Sequence, residues 1–145
     1  MCPNDILLKE SKNSDAIVTL LTDNINKQFL DDNSHLKIVS QFAVGCNNID
    51  HKYAATKKIP IGNTPNVLSD ATADVAVGLL IATARKFKTS NDSIYQGKWK
   101  AFDPKGFLGK SLKSKTLGIV GMGRIGFEVA KRCHYGWDMK ILYFN

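Results

Sequence analysis

The feature that most constrains this chain is a glycine-rich turn set between an apolar run and an amphipathic stretch. The motif Gly-x-Gly-x-x-Gly occupies positions 121–126, directly after the branched apolar run 117–120. Beyond it, apolar residues recur at helical spacing, at Ile125, Val129 and Cys133. A second apolar run follows at 139–144, and Gly136 lies where the helix is expected to end. This order predicts a parallel βαβ unit with a glycine turn after its first strand.

The three glycines have separate roles in such a unit. Gly121 permits the tight turn, Gly123 lets the backbone approach a pyrophosphate, and Gly126 allows the helix to pack closely on the strand. The first amides of the helix then point at the phosphates. A bare motif of this kind is weak, so a structural glycine turn that binds nothing stays open as the alternative. The strand and helix around the motif nevertheless predict a dinucleotide site.

The position about 20 residues after the last glycine selects the cofactor in this kind of site. An Asp or Glu there bonds the adenosine ribose and favours NAD, whereas a nearby Arg favours NADP. In this chain the position is Asn145. Because the carboxylate is lacking, we expect NADP, with NAD as the alternative because an amide can also bond a ribose hydroxyl.

Earlier in the chain, short runs rich in branched apolar residues recur about 20 positions apart. These strand candidates lie at 16–21, 36–39 and 59–61. Helix-spaced apolar residues separate them: Ile25, Phe29 and Leu30, then Ile49, Tyr53 and Ala54. Strands alternating with helices at this spacing predict a parallel sheet and an α/β fold class.

A longer helix is predicted from Ser69 or Asp70, either of which can cap it, to about Lys88. Asp74 lies in its first turn and basic residues close it, at Arg85, Lys86 and Lys88. Its middle, 75–82, is apolar on every face, so we expect it to be covered between two domains or in a subunit interface, with burial inside one domain as the alternative. Glycines and Pro104 then predict a linker up to Lys115.

Composition excludes several classes of protein. The net charge is +7, but 17 of the 20 basic residues are lysines scattered along the 145 residues, so we expect no nucleic-acid partner. The three cysteines show no metal-ligand spacing, which predicts a reducing compartment and no metal. No apolar run approaches the ~20 residues of a membrane span. Because the first residues also lack a secretory pattern, we expect a cytoplasmic protein without a membrane partner.

Five short motifs fall in the order and spacing of one enzyme family, at 44–45, 48–50, 59–65, 70–74 and 121–126. The chain therefore resembles the D-isomer-specific 2-hydroxyacid dehydrogenases. Within the family it is most similar to the glyoxylate and hydroxypyruvate reductases, with phosphoglycerate dehydrogenase as a close alternative. The resemblance extends over nearly the whole chain.

The resemblance implies a flavodoxin-like substrate domain and a Rossmann NAD(P)-binding domain. On this chain it implies a partial substrate domain over 1–68, a hinge or dimer helix with its linker over 69–115, and the start of a Rossmann domain over 116–145. It implies that this chain matches only a middle stretch of the family. It also implies a homodimer at full length.

The resemblance further implies which residues bind ligands. Val44 and Gly45 offer backbone amides to the substrate carboxylate, while Thr72 and the turn at Gly123, Arg124 and Ile125 contact the cofactor. Three residues depart from the family pattern: Asn47 stands where Asp is usual, and Ser114 and Asp138 each replace a common Gly.

No catalytic residue is expected in this chain, because the resemblance places the family's catalytic Arg, Glu and His beyond Asn145. Composition agrees, with only three arginines, two glutamates and three histidines. The histidines are predicted at surface or helix-end positions: His35, His51 and His134.

We therefore expect an NAD(P)-dependent oxidoreductase acting on the CH–OH group of 2-hydroxy acids. It reduces glyoxylate or hydroxypyruvate to a D-2-hydroxy acid when complete, and this chain alone is expected to be inactive. The small 2-keto or 2-hydroxy acid is its expected partner. The alternatives are part of a phosphoglycerate dehydrogenase, a non-enzymatic dinucleotide-binding regulator like the C-terminal binding protein corepressors, and a basic nucleic-acid binder.

Overall fold

The computed structural model describes residues 3–145, apart from the side chain of Asn4. The chain divides into two compact units, Met1–Val67 and Leu68–Asn145. Both combine helices with parallel strands, so the α/β fold class predicted from the sequence is confirmed. The structure does not describe Cys2, one of the three cysteines considered above, whereas Cys46 and Cys133 are free thiols.

The first unit contains a three-stranded parallel sheet in the order β1-β2-β3. Its elements are α1 (Asn4–Ser11), β1 (Ala16–Thr19), α2 (Lys27–Asp32), β2 (Ile38–Gln41), α3 (His51–Thr56) and β3 (Ile61–Gly62). Ala16 pairs with Ile38, and Val39 pairs with Ile61. The core is formed by buried apolar residues of strands, helices and connections: Ile25, Phe29, Leu30, Leu36, Val39, Ile49, Ala54 and Ile59.

Two residues predicted on helices lie just outside them. Ile25 and Ile49 form an isolated parallel bridge with each other. Each precedes a capping residue, since the Asn26 side chain accepts from the Phe29 amide and begins α2, and Asp50 begins α3 in the same way. The apolar spacing resembled a helix because the residue before a cap packs toward the fourth helical residue. The helix assignment of these two isoleucines was therefore wrong.

The strands begin and end later than two of the apolar runs suggest. Residues 36–37 and 59–60 lead into β2 and β3 rather than forming part of them. Leu36 instead donates its amide to the Asn33 carbonyl at 3.0 Å, and Ile59 donates to Ala54 at 3.0 Å. Both side chains are buried, so apolarity at these positions marks the core and not the strand.

The second unit contains a two-stranded parallel sheet, β4 paired with β5. Its elements are α4 (Ser69–Ala84), α5 (Phe87–Tyr95), β4 (Thr116–Val120), α6 (Arg124–Trp137) and β5 (Lys140–Phe144). Thr116 pairs with Lys140, and Val120 pairs with Phe144. Helix α4 packs against α6, and the core between them includes Val77, Cys133 and Met139.

The predicted helix to Lys88 is in fact two helices. Helix α4 ends at Ala84, Lys86 adopts the left-handed conformation with φ 56°, and α5 begins at the next residue. The chain returning through the linker explains the break, because the Lys110 amide donates to the Ala84 carbonyl at 2.8 Å. No basic residue lies in the last turn of α4, and Leu68 precedes it without a side-chain cap, so both end assignments were wrong.

Helix α4 is not covered all round in this chain. Ala73 and Val77 are buried, whereas Val75 and Leu79 are 63% and 64% exposed. One face of α4 therefore carries bare branched side chains.

The end of α6 also differs from the prediction. The helix continues through Gly136 to Trp137, and Asp138 takes the left-handed conformation at φ 52°. Ser114, before β4, has a φ of 56°. The left-handed conformation favours glycine, which is the residue that the resemblance implies at both positions.

Across residues 3–145, no helix has both the length and the apolar character needed to span a bilayer.

Candidate functional site

The loop 42–48 leaves the carboxyl end of β2, the edge of a parallel sheet at which ligands usually bind. Three successive carbonyl groups of this loop accept hydrogen bonds from residues outside the loop. The hydrogen bonds run from the Thr64 amide to Ala43 O (3.0 Å), from Asn63 Nδ2 to Val44 O (2.9 Å) and from Gln41 Nε2 to Gly45 O (3.3 Å). These bonds satisfy the carbonyl oxygens of Ala43, Val44 and Gly45.

Three consecutive amide groups of the same loop, those of Val44, Gly45 and Cys46, are free. In the part of the chain that the structure describes, residues 3–145, no acceptor meets the N–H of Val44, Gly45 or Cys46. Gly45 is exposed and Val44 is half-buried. Unpaired main-chain amides are donors that can bind an anion such as a carboxylate. The two predicted substrate contacts thus lie together, and Cys46 adds a third amide.

Behind the loop lies a buried polar cluster. Gln41 is 1% exposed and Thr19 is fully buried. The Thr19 hydroxyl donates to Gln41 Oε1 at 2.6 Å, and Gln41 Nε2 donates to Asn48 Oδ1 at 3.0 Å. Asn48 Nδ2 in turn donates to the carbonyls of Leu20 (3.0 Å) and Asp23 (2.8 Å). Every polar side-chain atom of Gln41 and Asn48 therefore has a partner.

No individual role was predicted from the sequence for Gln41, Asn48 or Asn63. A usable signal existed, because polar residues directly after buried strands of a parallel sheet lie at its ligand-binding edge. Gln41 ends β2, and Asn63 follows β3.

In the second unit, the glycine turn lies between β4 and α6. Gly121 has a φ of 95°, which favours glycine, and its amide donates to the Phe144 carbonyl at 2.8 Å. The β4–β5 hydrogen bonding is thus extended into the turn. A tight turn at Gly121 is what the motif predicts.

Gly123 and Gly126 differ in what surrounds them. A Cβ atom at Gly126 would overlap with the Gly121 carbonyl oxygen, so this glycine is required for the helix to approach the turn. A Cβ at Gly123 would meet nothing within 4 Å. The space beside Gly123 is therefore open, as close approach of a pyrophosphate requires.

The start of α6 carries unpaired donors. Gly123 precedes the helix without a side-chain cap, and the first amides of a helix have no partner within it. Arg124, the first helical residue, is exposed and forms no ion pair with any residue from 3 to 145. A cation at this end of a helix is unfavourable unless an anion binds. The residues present therefore fit a dinucleotide phosphate.

The remaining predicted cofactor contacts lie in the same unit. Ile125 is 42% exposed at the start of α6. Thr72 is exposed in the first turns of α4, and its amide donates to Leu68 at 2.9 Å. Asn145, directly after β5, accepts the Met122 amide on Oδ1 at 2.7 Å. The structure thus brings Asn145 to the glycine turn, while within residues 3–145 Thr72 forms no hydrogen bond with that turn.

Arg132 is engaged by three carboxylates. It donates to Asp74 (2.7 Å), Glu128 (2.8 Å) and Asp70 (3.0 Å). The Asp70 carboxylate, with Asp74 and Glu128, raises the pKa of the Arg132 guanidinium. Asp70, predicted as a possible helix cap, and Asp74, predicted as a first-turn charge, therefore join α4 to α6. Arg132 is held as a structural residue.

Two histidines bond main-chain carbonyls. His134 Nδ1 donates to Met139 O at 2.9 Å, and His35 Nε2 donates to Ser11 O at 3.2 Å. His51 begins α3 and is exposed. In residues 3–145 no three His, Cys, Asp or Glu side chains are grouped as metal ligands. Burial raises the pKa of the Cys133 thiol, which keeps it protonated.

Comparison with known proteins identifies one family. The model for the D-isomer specific 2-hydroxyacid dehydrogenase catalytic domain matches residues 1–134. Glyoxylate reductases from Thermococcus litoralis and Pyrococcus horikoshii are each 46% identical over 147 residues, which cover 99% of this chain and 44% of theirs. This chain therefore spans less than half the length of these relatives.

A solved structure shares the fold. The crystal structure of the TT0316 protein from Thermus thermophilus superposes with a TM-score of 0.92 at 36% identity, covering 99% of this chain and 46% of that one. The crystal structure of a D-isomer specific 2-hydroxyacid dehydrogenase from Polaromonas, 30% identical with a TM-score of 0.85 over 96% of this chain and 44% of that one, is described as NAD-binding.

Proposed function

Because this chain belongs to the D-isomer-specific 2-hydroxyacid dehydrogenase family, we propose that it supplies two binding elements of an NAD(P)-dependent oxidoreductase. The reaction is the reduction of glyoxylate or hydroxypyruvate to the D-2-hydroxy acid. The observation that carries the proposal is the loop 42–48, which turns its carbonyls into the domain and leaves consecutive amides free.

The loop binds the substrate through its carboxylate. The amides of Val44 and Gly45 donate to the carboxylate oxygens, and charge-assisted bonds of this kind are stronger than neutral ones. Their direction is set before binding, because the carbonyl groups of Ala43 and Val44 are already held. Pre-set donors lose little freedom on binding, which favours affinity.

The glycine turn binds the cofactor. The open space beside Gly123 admits the pyrophosphate, the first amides of α6 bond it, and Arg124 neutralises its charge. Gly121 and Gly126 shape the turn, and Thr72 and Ile125 contact the bound dinucleotide. When bound, the nicotinamide supplies the hydride that reduces the keto carbon.

Asn145 contributes to cofactor choice. Because the Asn145 side chain is uncharged, it does not repel the adenosine 2′-phosphate as an Asp or Glu side chain would. We expect NADP to be preferred, with NAD as the second choice.

This chain carries no residue that we assign to catalysis. Of the three arginines, Arg132 is held by carboxylates and Arg124 belongs to the cofactor turn. His35 and His134 bond main-chain carbonyls. A hydride acceptor needs its carbonyl polarised and its alkoxide protonated. We therefore expect the 145-residue chain to bind both ligands without turnover.

The same family membership supports a homodimer at full length, in which the bare face of α4 around Val75 and Leu79 is covered. We expect a cytoplasmic enzyme with a small 2-keto acid as its substrate, and neither nucleic acid nor membrane as a partner.

The test joins this chain to the remaining segments of the Thermococcus litoralis glyoxylate reductase, which is 46% identical over the shared part. The chimera should oxidise NADPH or NADH with glyoxylate or hydroxypyruvate, within about a hundredfold of the ~10 per second typical of enzymes. The 145-residue chain assayed beside it should show no steady turnover. A folded chimera that binds cofactor but reduces neither acid would contradict the proposal and favour a non-enzymatic dinucleotide regulator, and activity confined to phosphohydroxypyruvate would favour phosphoglycerate dehydrogenase.

A further inference from the structure

We infer that Gln41 and Asn63 are positioning residues for the substrate loop, and that Cys46 supplies a third carboxylate-binding amide. The inference rests on the proposed function of Val44 and Gly45. Gln41 and Asn63 touch no substrate in this scheme. Each acts by holding a carbonyl group of the loop.

The planar peptide bond couples the direction of each carbonyl group to that of the next amide. In a trans peptide the C=O of one residue and the N–H of the next belong to one rigid plane and point in opposite directions. A side chain that holds a carbonyl therefore also directs the following amide away from itself. No cis peptide bond is present among residues 3–145.

The Asn63 side chain sets the direction of the Gly45 amide by holding the carbonyl group of Val44. Its Nδ2 donates to the Val44 carbonyl at 2.9 Å, so the Gly45 N–H points away from Asn63. The neighbouring Thr64 amide holds the Ala43 carbonyl at 3.0 Å and directs the Val44 N–H in the same manner. The segment after β3 thus orients both amides of the proposed substrate site.

The Gln41 side chain sets the direction of the Cys46 amide by holding the carbonyl group of Gly45. Its Nε2 donates to the Gly45 carbonyl at 3.3 Å, which turns the Cys46 N–H away from the buried cluster. This N–H has no acceptor in residues 3–145. Because the adjacent Gly45 N–H is directed by Asn63, three consecutive amides are set by contacts from outside the loop.

Gln41 is itself held in place. It is 1% exposed, and its oxygen accepts from the Thr19 hydroxyl at 2.6 Å. Asn48 accepts from its Nε2 at 3.0 Å and is anchored to the Leu20 and Asp23 carbonyls. A buried amide with all its partners satisfied has one orientation, because any other would leave polar atoms unpaired. The Gln41 contact is therefore a fixed support for the loop.

The experiment follows main-chain amide signals of the 145-residue chain by two-dimensional NMR during titration with the 2-keto acid analogue oxamate. Three neutral variants are compared with the parent: Asn63→Ala, Gln41→Met and, as a control, Asn47→Ala. Asn47 is an exposed residue of the same loop, and its side chain has no hydrogen-bond partner among residues 3–145. Asn63 is exposed, so its variant is expected to fold even if the buried Gln41→Met substitution prevents folding.

In the parent, oxamate should shift the amide signals of Val44, Gly45 and Cys46. Asn63→Ala should lower the affinity for oxamate about tenfold, which corresponds to the loss of one well-placed hydrogen bond. In the absence of oxamate, this substitution should change the chemical shift of the Gly45 amide more than that of any other loop amide. Gln41→Met should also lower the affinity for oxamate, and without ligand it should change the chemical shift of the Cys46 amide most. Asn47→Ala should keep the parent's affinity. Melting temperatures of Asn63→Ala and Asn47→Ala should agree, which separates positioning from a loss of stability.

Parent-like oxamate affinity in Asn63→Ala would overturn the positioning role while leaving the proposed substrate loop intact. If oxamate leaves the chemical shifts of the Val44 and Gly45 amides unchanged in the parent protein, the proposed function of the loop is instead overturned. If Val44 and Gly45 respond but Cys46 does not, the third amide is excluded.

Discussion

Asn145 Oδ1 accepts the main-chain N–H of Met122 at 2.7 Å, so the residue after β5 is bonded to the middle of the glycine turn after β4. The two strands are neighbours in a parallel sheet, and their carboxyl ends therefore meet. A single side chain at 145 thus borders both the turn that we propose for the pyrophosphate and the position that we propose for the ribose.

This contact makes Asn145→Asp a selective test of cofactor choice. The aspartate keeps an oxygen for Met122 but adds a charge that repels the 2′-phosphate. We expect NADPH affinity to fall at least about tenfold relative to NADH, measured by titrating the fluorescence of each reduced cofactor. Asn145→Ala removes the Met122 bond without adding charge and should weaken both cofactors equally. An unchanged NADPH-to-NADH ratio in Asn145→Asp would exclude this residue from cofactor selection.

The glycine turn predicts opposite results for its second and third glycines. Gly123→Ala should leave the melting temperature unchanged, because its Cβ meets open space, yet reduce dinucleotide affinity more than about tenfold. Gly126→Ala should lower the free energy of unfolding by about 1–3 kcal/mol, because the methyl group overlaps with the Gly121 carbonyl oxygen. Gly136→Ala, with open space in α6, is the control for both measurements. Equal cofactor affinity of Gly123→Ala and the parent would remove the turn as the phosphate site.

Ser114 offers a stabilising substitution. Its φ of 56° lies in the left-handed region, which costs a non-glycine residue roughly 1–2 kcal/mol, partly offset by the greater freedom of glycine in the unfolded chain. Ser114→Gly should therefore raise the free energy of unfolding by about 0.5–1 kcal/mol in urea denaturation. Ser34→Gly, at an exposed position outside the left-handed region, should be neutral or destabilising. The idea fails if both variants change stability by the same amount.

Arg132 is expected to stabilise the packing of α4 on α6. Arg132→Met keeps the length of the side chain but removes its bonds to Asp70, Asp74 and Glu128. The melting temperature should fall by several degrees, since three carboxylates lose one shared partner. Lys131→Met breaks only the ion pair between Lys131 and Glu128, so it should change the melting temperature little. If the melting temperature falls by the same amount in both variants, Arg132 contributes no more to stability than an ordinary surface charge.

The bare face of α4 predicts association. Because Val75 and Leu79 are exposed branched side chains on one helical face, the chain should self-associate at high concentration. Leu79→Glu should weaken that association at least about tenfold in sedimentation velocity. Phe102→Glu removes another exposed apolar side chain, in the linker, and should have no such effect. A parent chain that sediments as a monomer at all concentrations would contradict this prediction.

The sequence alone was sufficient for the features that depend on neighbouring residues. The glycine spacing at 121–126 predicted the turn and the helix behind it, and branched apolar runs predicted a parallel sheet. These patterns are readable because a strand or helix repeats its apolar residues at a constant period. The family resemblance followed from the same local motifs and is confirmed by comparison.

Long-range hydrogen bonds decided the rest. Helix α4 ends at Ala84 because the amide of Lys110 reaches its carbonyl, and no pattern within residues 69–88 announces that bond. The direction of the loop amides depends on Gln41 and on Asn63, which follows a different strand. Each local segment permits several backbone orientations of similar free energy, and contacts from residues distant in sequence select one of them. The motifs of the site could therefore be read from the sequence, whereas the orientation of its donors was determined only by the tertiary structure.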